Sequence, residues 1–147
     1  MFLYPLPSYV ASLFHFLGFT FVDSTKLVFA VSYLLSALFM YLWISSKWGR
    51  PSGFIAALAY GFAPYRFVDL YVRGAIGEHM AFVFPPLICW GLLLLAGKKR
   101  MLAPSIIIPL GTGGLILSHN ALSLMFLPII LHLPVLPLKA PLISLLI

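Results

Sequence analysis

Charged residues are scarce in this chain. Only 8% of its 147 residues are charged, with three acids against nine lysines and arginines, whereas 63% are hydrophobic. A soluble protein of this length needs a polar surface, which so few charges cannot supply beside thirteen phenylalanines and seven tyrosines. These numbers exclude a soluble globular domain, and lipid is the expected solvent.

Cysteine and the common nucleotide motifs are also missing or nearly so. The single cysteine, Cys89, lies in an apolar run, so neither a disulfide framework nor a multi-cysteine metal site can be built. GxxxxGK, GxGxxG, HExxH and GxSxG do not occur, and soluble nucleotide chemistry has no support. The net charge of +6 comes from bases spaced mostly singly at the ends of apolar runs, so we expect no nucleic-acid partner.

Long apolar runs are what the sequence does contain. A hydrocarbon core of about 30 Å needs roughly 20 apolar residues per helix. Runs bounded by charge or proline predict an all-α fold, a polytopic transmembrane helical bundle that forms a single membrane domain over 1–147. An interfacial helix is expected at 8–17, followed by about five membrane spans at 27–45, 52–63, 80–97, 104–117 and 121–138.

Local features refine three of these runs. Residues 23–25 offer side-chain oxygens that we expect to cap the first span. Gly53, Ala57 and Gly61 recur every four residues, a spacing of small side chains that predicts close packing against another helix. Two consecutive prolines, at 85–86, are expected to kink the third span.

The distribution of charge predicts an orientation. If successive runs alternate sides, one side carries six bases, and the other carries three bases with all three acids. By the positive-inside rule the first set is cytoplasmic in a multi-pass protein of the cell membrane, and 65–79 is extracytoplasmic. The cytoplasmic set is Lys47, Arg50, Lys98, Lys99, Arg100 and Lys139.

The segment 63–79 holds the main candidate site residues. Arg66, Asp69 and Arg73 stand at i, i+3 and i+7, so on an α-helix they would share one face, with the carboxylate between two guanidinium groups. That face is either an interfacial charge cluster or an anion site. In the second case the forked arginine donors hold a lipid phosphate at headgroup depth, and Asp69 orients them.

Two further pairs are candidates for the same site. Glu78 either stabilises the start of the third span, where the helix dipole is positive, or acts with His79 as a general base. The second role needs a third group from elsewhere in the protein. Asn120 either caps the fifth helix, with His119 at the interface, or both side chains contact the same headgroup or sugar. All four join Arg66, Asp69 and Arg73 as candidate substrate-binding residues, and no metal ligand is assigned.

Four stretches of the chain resemble a known family. They are Phe-Leu-Tyr-Pro-Leu-Pro-Ser-Tyr at 2–9, Phe-Val-Asp-Ser-Thr-Lys-Leu at 21–27, Ala-Pro-Tyr-Arg-Phe-Val-Asp-Leu-Tyr-Val-Arg-Gly-Ala at 63–75 and Ser-His-Asn-Ala-Leu at 118–122. They are similar to the prokaryotic membrane proteins labelled 6-pyruvoyl-tetrahydropterin-synthase-related. The label does not describe an activity expected here, because pterin synthase chemistry uses histidine-bound zinc in a soluble fold, whereas the four histidines are scattered over separate spans.

The layout of that family is similar to the GT-C glycosyltransferases, which take a sugar from a polyprenyl-phosphate donor at the outer membrane face. The resemblance implies a fragment of such an enzyme, inactive alone, whose acidic residue, expected to act as catalytic base or metal ligand, lies upstream of Met1. Membrane lipid and a polyprenyl-phosphate sugar are the implied partners, and a divalent metal is left open as cofactor. The alternatives are a transporter or flippase-like subunit for a lipid-linked or anionic substrate, and a non-catalytic membrane scaffold that uses the Gly53 face.

Overall fold

The computed structural model describes residues 4–97 and 102–132, and every regular element in these two ranges is a helix. The predicted all-α class is therefore confirmed. In chain order the elements are α1 (Pro5–Phe16), α2 (Phe21–Trp48), α3 (Arg50–Gly61), α4 (Pro64–Phe67), a π-helix (Val68–Arg73), α5 (Ile76–Ala81), α6 (Phe84–Ala96), α7 (Leu102–Ser118) and α8 (Asn120–His132).

Helix α2 begins before the predicted cap. The Thr20 hydroxyl oxygen accepts a hydrogen bond from the Asp23 amide at 3.2 Å, so Thr20 is the N-cap residue. Residues 23–25 lie inside the helix, and the prediction that they cap it is wrong. At the other end Gly49 adopts a φ of 89°, a conformation that residues with a side chain rarely adopt, and α3 starts at the next residue.

Helix α3 packs closely along α2 through its small residues. A Cβ atom on Gly53 would lie 2.7 Å from the Cβ of Ser45, and one on Gly61 would lie 2.9 Å from the Tyr33 hydroxyl oxygen. Both glycines are buried. The predicted close helix contact is confirmed, and its partner is the preceding helix of the same chain.

Helices α5 and α6 continue one another through a turn at residues 82–83. Pro85 and Pro86 lie in the first turn of α6, where the missing amide hydrogens cost no helical hydrogen bond. The predicted kink is thus found at the entry to α6. Ala81, Ile88 and Leu115 form the centre of the apolar core, where α6 meets α2 and α7.

Two helices are long and apolar enough to cross a membrane, judged by length and composition: Phe21–Trp48, with 28 residues, and Ile76–Ala96, with 21. Together with the composition they indicate a membrane protein. Helices α3, α7 and α8 coincide with three predicted runs, and the 12, 17 and 13 residues that the structure describes in them are fewer than a full span needs. Five spans therefore stay a prediction, as does the interfacial position of α1.

Some predicted features fall outside the described ranges. They include the basic cluster at 98–100, Lys139, and the part of the fifth run beyond His132.

The shortness of α3 sets the position of the candidate site. Its 12 residues rise about 18 Å, whereas the 28 residues of α2 rise about 42 Å. The chain therefore leaves α3 beside the middle of α2. Helix α4 and the π-helix start from that height, so the segment 65–79 begins beside the middle of α2, where Arg66 is buried.

Candidate functional site

Arg66 is buried against the middle of α2. Arg66 is only 3% exposed, and its Nη1 donates a hydrogen bond to the Ser36 hydroxyl oxygen at 2.7 Å. The guanidinium carbon lies 5.2, 5.3 and 5.3 Å from the ring centres of Tyr33, Tyr60 and Phe82. These aromatic faces attract the cation without supplying a counter-charge.

The remaining donors of Arg66 are unsatisfied. Its Nε and Nη2 have no hydrogen-bond partner among the described residues. Burial is the main effect on the pKa of Arg66 and lowers it, while the nearby tyrosines and Asp69 act in the opposite direction. An arginine keeps its charge even so, because its ordinary pKa lies far above neutrality.

Asp69 and Arg73 lie on the π-helix, a rare wide turn with i→i+5 hydrogen bonds that is frequent at functional sites. Asp69 is fully buried, whereas the side chain of Arg73 is 48% exposed. Within the described ranges, Asp69 forms no ion pair with Arg66 or Arg73. The predicted face with its carboxylate between two arginines is not formed, because the wider turn breaks the α-helical spacing on which it depended.

Asp69 instead faces His79 of α5. The Oδ2 atom of Asp69 lies 3.7 Å from Nδ1 of His79, and both residues are at most 1% exposed. Neither carboxylate oxygen nor either ring nitrogen has a hydrogen-bond partner in the described part of the chain. The ring of His79 lies 5.2 Å from that of Phe29 and stacks at 6.4 Å on that of Tyr33.

The electrostatic surroundings of Asp69 favour its protonated form. Burial and, to a smaller extent, the neighbouring Glu78 carboxylate raise the pKa of Asp69, which lies at about 6. Arg73 and Arg66 oppose these effects. Asp69 is therefore a carboxyl group that gains or loses its proton close to neutrality.

A second charged group forms the exposed edge of the site. Nη1 of Arg73 lies 2.8 Å from Oε2 of Glu78 and donates a hydrogen bond to the Tyr65 hydroxyl oxygen at 2.9 Å. The same hydroxyl donates to Oε1 of Glu78, and that hydrogen bond raises the pKa of Tyr65. Gly74 has a φ of 57°, which reverses the chain so that Arg73 can reach back to the start of α5. We call Tyr65, Arg73 and Glu78 the rim cluster.

His119 and Asn120 lie near this site but outside it. Nδ1 of His119 accepts a hydrogen bond from the Leu122 amide at 3.3 Å, and α8 starts at Asn120. His119 rather than Asn120 therefore caps α8, and the expected cap at Asn120 is wrong. Among the described contacts, neither residue forms a hydrogen bond or an ion pair with Arg73.

Tyr4 lies between His119 and the start of α5 and contacts both. The two rings lie 4.5 Å apart. A Cβ atom on Gly77 would lie 2.8 Å from both the Tyr4 ring and the Ser118 carbonyl oxygen, so a glycine is required at this crossing. The N-terminal segment thus packs one residue away from Glu78.

The residues of α2 and α3 that contact Arg66 were not predicted from the sequence. Ser24, Ser32 and Ser36 are buried on α2, and their spacing of eight and four residues marks one face of the helix. A serine stripe inside an apolar run was the available signal. Nothing local in the sequence indicates that Tyr60 and Phe82 meet there, joined by a hydrogen bond of 2.8 Å from the Tyr60 hydroxyl to the Phe82 carbonyl oxygen.

Over residues 4–97 and 102–132, no group of three or more histidine, cysteine, aspartate or glutamate side chains is placed to hold a metal ion. Cys89 is buried in α6 and takes no part in the site.

Comparison with known proteins identifies no function. No family model and no solved structure matches the chain. A protein of Lactococcus lactis subsp. cremoris (strain MG1363), itself described as uncharacterized, is 25% identical over 132 residues, which cover 86% of this chain and 21% of that protein. The chain therefore spans about a fifth of the length of this relative.

Proposed function

We propose that the chain is part of an integral membrane glycosyltransferase that uses a polyprenyl-phosphate-linked sugar at the outer membrane face. Arg73 binds the phosphate of the carrier. The observation that supports this most is the rim cluster, which presents a half-exposed guanidinium beside buried ionisable groups at one end of the apolar α5–α6 pair. The family resemblance of 63–75 supplies the reaction class.

Arg73 suits a phosphate because its position is already fixed. The Tyr65 hydroxyl and the Glu78 carboxylate both hold Nη1, and 48% of the side chain remains exposed to an incoming ligand. A planar guanidinium can bind two phosphate oxygens at once, and little conformational entropy is lost when the side chain is held beforehand. Arg66 is too deeply buried for the same direct contact, so the phosphate site narrows to Arg73.

Arg73 would act in the transfer through charge. When an acceptor hydroxyl oxygen forms its bond to the anomeric carbon, the bond from that carbon to the carrier phosphate breaks, and the phosphate leaves with the electron pair. A guanidinium at the phosphate stabilises the growing negative charge.

The test is the substitution Arg73→Ala in the full-length protein in lipid nanodiscs. We expect polyprenyl-phosphate binding to weaken by about tenfold or more, since a charge-assisted hydrogen bond contributes roughly 1.5–3 kcal/mol. Sugar transfer should fall with it. Arg50→Ala is the matched control, because Arg50 is an exposed arginine at the opposite end of α2 and should leave both unchanged. Unaltered binding in Arg73→Ala would exclude the proposed site.

A transporter remains the second candidate, and the depth of Arg66 favours it. Ser36, which binds Arg66, lies 12 residues or about 18 Å along α2 from Trp48, well inside the thickness of a hydrocarbon core. Intramembrane charges commonly mark substrate or ion pathways. Flux of a lipid-linked or anionic substrate into proteoliposomes without any sugar transfer would favour this alternative.

The scaffold alternative loses its main feature. The Gly53 face that it would present to a partner is covered by α2 of the same chain.

A further inference from the structure

We propose that phosphate binding at Arg73 is coupled to the uptake of a proton by the buried pair formed by Asp69 and His79. This inference rests on the proposed function and adds the protonation state in which the site binds its ligand. The supporting observation is that the buried pair lies next to the rim cluster. Asp69 and Arg73 are both on the π-helix, and Glu78 and His79 are adjacent residues of α5.

The buried pair is built to hold a proton. Asp69 and His79 approach to 3.7 Å, both are at most 1% exposed, and no described residue gives either side chain a hydrogen bond. An ionised carboxylate that accepts no hydrogen bond is strongly disfavoured away from water. A proton on Asp69, or on His79 facing an ionised Asp69, removes this penalty. At 3.7 Å, a proton taken up by either side chain lies next to the other.

The charges around the pair are nearly balanced without ligand. In the rim cluster, Arg73 and Glu78 neutralise one another at 2.8 Å. Arg73 and, to a smaller extent, the buried Arg66 also favour an ionised Asp69, since both lower the pKa of that carboxyl. Other titratable groups of the surrounding elements contact Arg66, the buried pair, the rim cluster or the start of α5. They are Tyr33 of α2, Tyr60 of α3, Tyr65 of α4, Tyr4 before α1 and, through Tyr4, His119 before α8.

A phosphate at Arg73 disturbs this balance. It brings up to two negative charges next to Glu78 and close to Asp69, both of which already repel one another. The repulsion is relieved when the buried pair takes up a proton, because one negative charge fewer then lies near the phosphate that Arg73 binds. Burial already places the titration of Asp69 near neutrality, so the proton is available at physiological pH. By linkage, the same coupling makes phosphate bind more tightly at lower pH.

The experiment is calorimetric titration of farnesyl phosphate into the full chain in nanodiscs, at one pH near 6.5 and in buffers of different ionisation enthalpy. The buffer dependence gives the number of protons taken up for each ligand bound. The phosphate itself titrates near pH 6, so its own contribution is measured in Asp69→Asn, which is similar in shape and cannot ionise. Asp23→Asn, at an exposed carboxylate of α2, is the matched control.

For each farnesyl phosphate bound, we expect wild type and Asp23→Asn to take up more protons than Asp69→Asn, by a measurable fraction of one proton. Between pH 5 and pH 8, the affinity for farnesyl phosphate should fall in all three proteins. In wild type and Asp23→Asn the fall should be roughly tenfold larger than in Asp69→Asn, which corresponds to a ligand-induced shift of about one unit in the pKa of the buried pair. His79→Gln should reduce the extra proton uptake, because the amide of glutamine can donate a hydrogen bond to the ionised Asp69 carboxylate and so lower its pKa, and this variant carries the test if Asp69→Asn does not fold. Equal proton uptake in wild type and both folded variants overturns the coupling while leaving the proposed function intact. A folded wild type that does not bind farnesyl phosphate contradicts the proposed function itself.

Discussion

At the scale of single residues, Arg66 is the most costly side chain of the site. It is buried with one hydrogen bond, three aromatic faces and no ion pair within 4 Å among the described residues. Removal of a charge from water costs several kcal/mol, and aromatic faces return only about 2 kcal/mol or somewhat more. A residue retained in such a position for stability alone would be better replaced by an apolar one.

The substitution Arg66→Met tests this directly. We expect the unfolding temperature in detergent, followed by tryptophan fluorescence, to stay the same or to rise, because a similar volume is filled without desolvation of a charge. Ser36 keeps a partner in the variant, since its hydroxyl already donates to the Tyr33 carbonyl oxygen at 2.7 Å. A fall of more than about 5 °C would show that Arg66 holds the fold together.

Asp69 should make stability depend on pH. The pKa of Asp69 is raised from 3.8 in a model peptide to about 6, so the folded state binds the proton more tightly than the unfolded state. Its contribution is therefore complete below pH 4 and is lost as pH rises through 6, by up to about 3 kcal/mol. Unfolding of Asp69→Asn should lack this loss. The prediction fails if wild type and Asp69→Asn keep parallel profiles from pH 4 to pH 7, with Asp23→Asn as the reference.

At the scale of helices, the contact between α2 and α3 determines where the site lies. Because the two helices are nearly in backbone contact at Gly53, α3 runs along α2 and delivers Arg66 to its middle. A Cβ atom at this glycine would meet the Tyr41 carbonyl oxygen at 2.9 Å as well as the Ser45 side chain. A backbone oxygen cannot rotate away, so the helices would have to separate.

Gly53→Ala should therefore destabilise the protein by roughly 1–3 kcal/mol, the usual cost of an overfilled contact. Gly113→Ala is a suitable control, since α7 leaves open space around Gly113 and alanine favours a helix by up to about 1 kcal/mol. Thermal unfolding of both variants under one set of conditions gives the comparison. Equal unfolding temperatures would mean that the small-residue face does not fix the position of α3.

Helix positions were largely predictable because apolar runs, prolines and glycines define them locally. The runs at 52–63 and 104–117 match α3 and α7 to within a few residues. The start of α2 was missed because Thr20, three residues before an acid, competes as a cap with the serine and threonine that follow. The π-helix could not be predicted, because no residue pattern specifies it and the contact with His79 is made only in the folded chain.

At the scale of the whole molecule, the sequence predicted which segment holds the charged residues but not the contacts that they form. Arg66, Asp69, Arg73, Glu78 and His79 do lie together, as their closeness in sequence required. Their partition into a buried pair, a rim cluster and a cation against α2 depends on contacts across some 30 residues, such as that of Arg66 with Ser36. Such contacts leave no local signal, and the predicted line of three charges was the simplest pattern available without them.

The central claim is that lipid surrounds these helices and that the rim cluster faces the extracytoplasmic side. Tyr71, beside Arg73, is 77% exposed, and Trp48, at the far end of α2, is 55% exposed. In intact cells treated with a membrane-impermeant maleimide, we expect Tyr71→Cys to react at once and Trp48→Cys to react only after permeabilisation, over a Cys89→Ser background. Reaction of Trp48→Cys from outside with Tyr71→Cys protected, or recovery of the chain in the soluble fraction without detergent, would contradict the account.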